Sequence, residues 1–186
     1  MNQRTSRVDA KPLPSQEHLR ECFTYDPETG VLMWRNRPAH HFPNEHRRNN
    51  INARYAGQVA GSLNPRGYRI VRVVGSAFLA HRVIWKLVTG QEPPEHVDHR
   101  DLDPSNNRWA NLRPATHQQN SFNTTATRNN KTGLKGVCWD KERQRYAAFI
   151  RVHGRSRFLG RFDTRDEAAA AYQAAANKFH GEFARH

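Results

Sequence analysis

The chain has 186 residues, enough for one ordinary domain with an extension or for two or three small modules. Thirty Lys and Arg stand against seventeen Asp and Glu, a formal charge of +13 that points to a polyanionic partner, nucleic acid before a membrane surface. No stretch approaches the roughly 20 apolar residues of a spanning helix, the opening MNQRTSRVDAKPLPSQ has no apolar signal core, and neither Cys22 nor Cys138 belongs to a C-x-x-C pair, which excludes a four-cysteine zinc site.

These features read as an intracellular protein with two reduced thiols and a basic, disordered leader over residues 1–14. Residues 15–91 form a first region expected to contain a hairpin and to touch DNA. Ser15 is placed to N-cap a short helix reaching Phe23, and the turn Asp26-Pro-Glu-Thr-Gly30 releases a strand over 31–35. The polar interval PAHHFPNEHRRNNINARY, residues 38–55, reads as an exposed or DNA-facing loop. It holds His40, His41 and His46, but no cysteine or carboxylate cluster within it completes a metal site. A hairpin is expected from strands at 67–74 and 77–80 around Gly75-Ser76, then a helix from His81 to Thr89 that stops on Gly90.

The segment 92–125 is crowded with Asp, His and Asn, poor material for a core and good material for a site. His96–His99 reads as a brief strand, and Thr116 with Gln119 forms a capping box that starts a helix running to about Asn123. Residues 126–132 have the composition of a solvated linker. From 133 to 186 a last module is expected, with strands at 136–140, 145–152 and 157–162. A second capping box, Thr164 with Glu167, then opens an alanine-rich helix carrying Ala168, Tyr172, Ala175 and Phe179 on one face. The fold class is therefore α+β, with the last module a three-stranded antiparallel sheet packed on one helix.

The chemistry concentrates in Asp98-His99, Asn111 twelve residues after His99, and Asn120 nine further on. Phosphodiester hydrolysis needs a base to activate water, a cation to neutralise developing charge, and groups that hold both in line. A strand end carrying Asp98 and His99, facing a helix that carries Asn120, puts two hard oxygen ligands beside an imidazole, as Mg²⁺ prefers. Asn111 is placed to fix the imidazole by a hydrogen bond. Spacing alone makes this no more than suggestive, because an Asp-His pair in a loop is more often structural. Arg108 and Arg113 flank the cluster and suit phosphate. Asp101 and Asp103 read as turn residues, His81 and His117 as structural or exposed, and Trp85 and Trp109 as packing.

The run VDHRDLDPSNNRWANLR over 97–113, followed by Ala115-Thr116 and Gln119-Asn-Ser-Phe-Asn123, resembles the ββα-metal motif of HNH homing endonucleases of phage or mobile-element type. Upstream, His81-Arg-Val-Ile-Trp85 and Tyr25-Asp-Pro-Glu-Thr-Gly30 resemble segments that precede that motif. The resemblance implies His99 as general base, Asp98 and Asn120 as ligands of one divalent cation, Mg²⁺ with Mn²⁺ as the alternative, and Asn111 as the central asparagine. It leaves Asn107 as an alternative to Asn111, and Asn123 as an alternative to Asn120. It also implies cleavage that leaves 5′-phosphate and 3′-hydroxyl ends, in the cytoplasm of a bacterial or phage-infected cell.

Between residues 131 and 161 nine Lys and Arg face only Asp140 and Glu142, an electrostatic footprint for a nucleic-acid backbone. Here Gly136-Val, Tyr146-Ala-Ala-Phe-Ile-Arg151, Phe158-Leu-Gly-Arg-Phe162 and Glu167-Ala-Ala-Ala-Ala-Tyr172 resemble the plant ethylene-response-factor (APETALA-type) DNA-binding domain. In that family a three-stranded sheet enters the major groove. Cys138, Trp139 and Asp140 stand where plant members tend to place arginines, so base preference does not transfer. Lys135, Trp139, Arg143, Arg145, Arg151 and Arg157 are the expected contacts, mostly to phosphate. The expected partner is double-stranded DNA, bound by a monomer with no obligate protein partner. The alternative is a non-catalytic DNA-binding regulator on a degenerate HNH scaffold.

Overall fold

In a computed structural model of the chain, which describes residues 12–124 and 130–184, two compact units divide at Pro114 and Ala115. Residues 1–11 of the expected leader and 126–129 of the expected linker lie outside the described residues. The division falls inside the segment 92–125 that the sequence suggests as one motif.

In the first unit Ser15 accepts a hydrogen bond from the His18 N–H and opens α1 (Gln16–Cys22). The chain turns directly into β1 (Phe23–Tyr25), which pairs antiparallel with β2 (Leu32–Trp34). Their connection is clasped by Asp26, which accepts from the Glu28 N–H (2.9 Å) and the Thr29 hydroxyl (2.7 Å). Gly30 sits at φ +75°, and a Cβ there would fall 2.5 Å from the backbone nitrogen of Arg108. Only glycine lets this turn lie against the loop that carries the candidate site. Two more bonds brace the same loop: the Tyr25 hydroxyl donates to Asn107 O (2.8 Å), and the Trp109 N–H donates to Pro27 O (3.1 Å).

The interval expected to be a loop is largely a helix, α2 (Glu45–Tyr55). Asn44 caps it by accepting from the Arg47 N–H, and Glu45 lies in its first turn. It docks through a polar residue: buried Asn52 donates to Asn36 Oδ1 and Arg37 O and accepts from the Arg37 N–H. Next come β3 (Ser62–Leu63), β4 (Arg69–Val73) and β5 (Ser76–Leu79), a three-stranded sheet in that order, with the hairpin turn on Val74-Gly75. α3 (Ala80–Thr89) follows and ends on Gly90, whose N–H returns to Lys86 O. Its buried face joins Leu19, Phe23, Leu32, Val71 and Phe78 in one hydrophobic core. β6 (His96–His99) and β7 (Leu112–Ala115) form a two-stranded sheet, with a 3-10 turn at Trp109–Asn111 between them.

In the second unit α4 (His117–Phe122) starts on the expected capping box of Thr116 and Gln119. β8 (Val137–Asp140), β9 (Arg145–Val152) and β10 (Arg155–Phe162) form an antiparallel sheet with β9 central. α5 (Arg165–His180), opened by the Thr164 and Glu167 box, covers one face of that sheet. Val137, Ala148, Ile150 and Val152 meet Ala168, Tyr172, Ala175 and Ala176 there. Phe179, expected on the buried stripe, lies at its rim with the Arg157 guanidinium 5.2 Å over its ring; His180 is the residue buried in the last turn. Among the described residues no helix is long and apolar enough to cross a membrane.

Candidate functional site

β6 delivers Asp98 and His99 side by side, and both are buried. Arg113, on the neighbouring strand β7, holds the carboxylate. Its Nε donates to Asp98 Oδ2 at 2.8 Å and its Nη2 lies 2.8 Å from the same oxygen. Asp98 is 4% exposed and Arg113 3%. This corrects the expectation that Arg113 meets phosphate: a carboxylate this deep needs a charge partner, and the adjacent strand supplies it. Arg108 lies at the surface, at the start of the 3-10 turn, where a phosphate contact remains open to it.

His99 Nε2 is 3.1 Å from Asn107 Oδ1. Asn107 Nδ2 points to Ser105 O at 3.4 Å, which identifies Oδ1 as the atom facing the ring and Nε2–H as the donor. That tautomer puts the basic lone pair on Nδ1. Asn111, expected to orient the imidazole, does something else. Its Nδ2 donates to Asp101 Oδ1 (2.9 Å) and Asn106 O (2.8 Å), its Oδ1 accepts from the Asp101 N–H (3.1 Å), and its backbone oxygen accepts from the Arg100 N–H (2.9 Å). Asn111 thus clasps the 100–106 loop, and the ring-orienting role falls to Asn107, the alternative the loop register had left open. Asp101 and Asp103 serve as turn acceptors within that loop.

Burial lowers the His99 imidazole below its usual value, against the Asn107 hydrogen bond and the carboxylates of Asp101, Asp98 and Asp103, which pull it up. A second imidazole, His81 of α3, meets the His99 ring edge-on with centroids 5.0 Å apart. Burial, then the neighbouring His99 and Arg82, hold His81 well below the ordinary imidazole value. Tyr68 packs near both rings, at 6.0 Å from His99 and 5.6 Å from His81. Nothing in local spacing marks His81 and Tyr68 as neighbours of His99, because α3 and the strand hairpin bring them there through the tertiary fold.

Asn120 lies on α4, partly buried, and Asn123 is buried at that helix's C-cap. Both belong to the second unit, whereas Asp98 and His99 belong to the first. Within the first unit, Asp98 and His99 offer an oxygen and an imidazole donor of the kinds that suit a small divalent cation. The hold of Arg113 on Asp98 Oδ2 also suits such a ligand, since a metal-binding carboxylate is ordinarily oriented by a partner behind it.

In the second unit the strand register sorts the expected contacts by face. Trp139 pairs with Tyr146 and Arg157 with Ile150, which puts both on the side that α5 covers. Trp139 meets Tyr146 edge to face with centroids 4.7 Å apart and stays 41% exposed. Lys135 precedes β8 and donates to Phe122 O (2.5 Å), while Arg143 sits in the β8–β9 turn beside Asp140 and Glu142. The face away from α5 carries Arg145 and Arg151, two of the residues proposed from sequence to contact DNA, together with Asp140, Phe149, Phe158 and Arg161. Phe149 and Phe158 pack at 5.3 Å, and the Arg161 guanidinium lies 5.0 Å over Phe158 while pairing with Asp140 at 2.8 Å. Phe149, Phe158 and Arg161 share this face without being among the expected contacts. Alternation along β9 from buried Ala148 and Ile150 would have found Phe149.

A family model described as HNH endonuclease matches residues 78–122, from β5 through α3, β6 and β7 to the end of α4. Protein 3.8 of Escherichia phage T7 is 33% identical over 106 residues, which cover 56% of this chain and 87% of that protein. The Uncharacterized HNH endonuclease L560 of Acanthamoeba polyphaga mimivirus is 36% identical over 124 residues, 66% of this chain and 63% of that protein, so the chain spans less than two thirds of its length. No solved structure matches the chain.

Proposed function

The chain belongs to the HNH endonuclease family, and from that premise we propose that it cleaves or nicks double-stranded DNA at a preferred site with one divalent ion, in the manner of a phage or mobile-element homing nuclease. The observation that carries this reading is the buried Asp98-His99 pair in which each side chain is oriented from behind, Asp98 by Arg113 and His99 by Asn107.

Asp98 would hold the ion, Mg²⁺ or Mn²⁺, with Asn120 as the second ligand that the family resemblance implies. Such an ion would supply charge neutralisation on the phosphate and on the departing 3′ oxygen. His99, lowered by burial and therefore neutral near pH 7, accepts a proton from the attacking water at Nδ1. Asn107 holds the ring so that this proton transfer costs no reorientation. Asn111 supports the chemistry indirectly, by keeping the 100–106 loop closed. Arg108 contacts phosphate.

The second unit grips DNA through the sheet face away from α5. Arg145, Arg151 and Arg161 meet the backbone, and Phe149 and Phe158 offer apolar contact to sugars and base edges. This use of the sheet follows the resemblance to ethylene-response-factor domains. Two weak binding units in one chain raise affinity through effective concentration, which suits a monomer acting on a long site in the cytoplasm of a bacterial or phage-infected cell.

The test is cleavage of supercoiled plasmid carrying the DNA that flanks the gene, with Mg²⁺ and with chelator. Mg²⁺-dependent nicked or linear product is expected from the wild type and not from Asn120→Ala. Binding without cleavage under all conditions would replace the nuclease by a DNA-binding regulator.

A further inference from the structure

A second cluster of ligating side chains lies where α1 meets the 3-10 turn Ala39–His41. His18 and Cys22 stand four residues apart on α1 and so share one of its faces. The turn lays His41 on that face: its ring stacks on His18 with centroids 4.1 Å apart, and its Nδ1 is 3.7 Å from Cys22 Sγ. The candidate ligand atoms of His18, Cys22 and His41 all fall within 4.8 Å of one another. Around a tetrahedral zinc with Zn–S of about 2.3 Å and Zn–N of about 2.0–2.1 Å, neighbouring ligand atoms are roughly 3.3–3.6 Å apart. The Cys22–His41 edge is already near that length, and rotation of the His18 ring supplies the rest.

The other nitrogen of His41 strengthens the case. Nε2 lies 2.7 Å from Glu21 Oε2, and the same oxygen lies 2.9 Å from His40 Nε2. A carboxylate behind an imidazole, with the opposite ring nitrogen turned toward a thiol, is the arrangement that orients a metal-ligating histidine and raises its basicity. In the chain without an ion, burial pushes the Cys22 thiol up to about 11, so the sulfur is protonated. A bound cation reverses that preference, and the thiol proton is released to solvent as the metal–sulfur bond forms. The Arg37 guanidinium, packed over the rings of Trp34 and Phe42, lies close enough to Cys22 to favour the thiolate, although its charge also works against a cation.

We propose that His18, Cys22 and His41 bind one zinc ion, with water in the fourth position and Glu21 orienting His41, as a structural staple between α1 and the Ala39–His41 turn. Thiolate with imidazole selects zinc over the hard cations that suit Asp98 and Asn120. The interval that the staple anchors leads into α2, which docks through Asn52 and contributes little apolar burial. Small units with modest cores commonly gain stability from such a metal. The site is independent of the nuclease reading, and its test has no catalytic readout.

Full-length protein stripped of metal is titrated with Co²⁺ and followed by absorption. The expected result is a thiolate-to-cobalt charge-transfer band in the near ultraviolet with tetrahedral visible bands, displaced stoichiometrically by Zn²⁺. Only two cysteines are present, so Cys138→Ser keeps the band and Cys22→Ser loses it. Should Cys22→Ser not fold, His18→Gln carries the same test: it keeps the wild-type circular dichroism and binds Zn²⁺ at least about tenfold more weakly. A folded wild type with no charge-transfer band, a band lost in Cys138→Ser instead, or His18→Gln binding Zn²⁺ as tightly as wild type would each overturn the proposal.

Discussion

Replacing Arg113 with methionine keeps most of the side-chain volume and removes the guanidinium that holds Asp98. Both side chains are 4% exposed, and two guanidinium nitrogens reach one carboxylate oxygen at 2.8 Å. Two unit charges 4 Å apart at an effective dielectric of 20 attract by about 4 kcal/mol. Breaking a buried pair by removing one partner ordinarily costs about 3–5 kcal/mol, because the remaining charge stays desolvated. Urea unfolding in chelator, followed by tryptophan fluorescence, is therefore expected to show R113M destabilised by about 3–5 kcal/mol. The double variant D98N/R113M is expected to recover much of that loss, since no carboxylate is then left buried. If a cation binds at Asp98, Mg²⁺ stabilises R113M more than it stabilises the wild type. A loss in R113M below about 1 kcal/mol, the range of an exposed pair, would refute the burial argument and with it the reason for moving Arg113 off the phosphate.

Asn107→Ala is expected to lower cleavage about 10–100-fold, as loss of an orienting partner does, and to cost about 1–3 kcal/mol in stability, because it removes a buried hydrogen bond to His99. Asn111→Ala, which opens the loop clasp, is expected to cost about 1–3 kcal/mol in urea unfolding. His81 is held neutral in the folded chain, well below the 6.5 of a free imidazole. Its contribution to stability is present above pH 6.5 and is lost as pH falls below it, because only the unfolded chain takes up the proton. The loss approaches about 1.4 kcal/mol per pH unit and is absent in His81→Gln, as denaturation between pH 7 and 5 would show. Arg151→Ala is expected to reduce the slope of log affinity for duplex DNA against log salt by about 0.9, whereas Arg157→Ala, on the α5 side of the sheet, leaves the slope unchanged.

The features legible in sequence are those written in local chemistry. The capping boxes at Thr116 and Thr164, the stop at Gly90 and the Asp26–Gly30 turn each depend on residues within a few positions of one another. α2 was illegible because a helix that docks through Asn52 shows no apolar stripe. The short β7 offered no alternation to read, and with it went the pairing of Arg113 with Asp98. At the site Asp98 and His99 are adjacent in the chain, but the choice between Asn107 and Asn111 depends on how the segment 100–111 between β6 and β7 folds back, which spacing leaves undetermined. In the second unit charge count located the basic sheet, while the face each arginine takes depends on strand parity. Trp139 and Arg157 fall on the covered side and Phe149 and Phe158 on the open one.

The most direct test of the central claim is single-turnover cleavage of end-labelled duplex DNA by wild type and His99→Ala in Mg²⁺, with binding measured in parallel in chelator. The account predicts equal affinity and a rate about 10²–10⁴-fold lower in the variant, the usual contribution of a general base. Equal rates, or no Mg²⁺-dependent product from either protein on DNA that both bind, would contradict it.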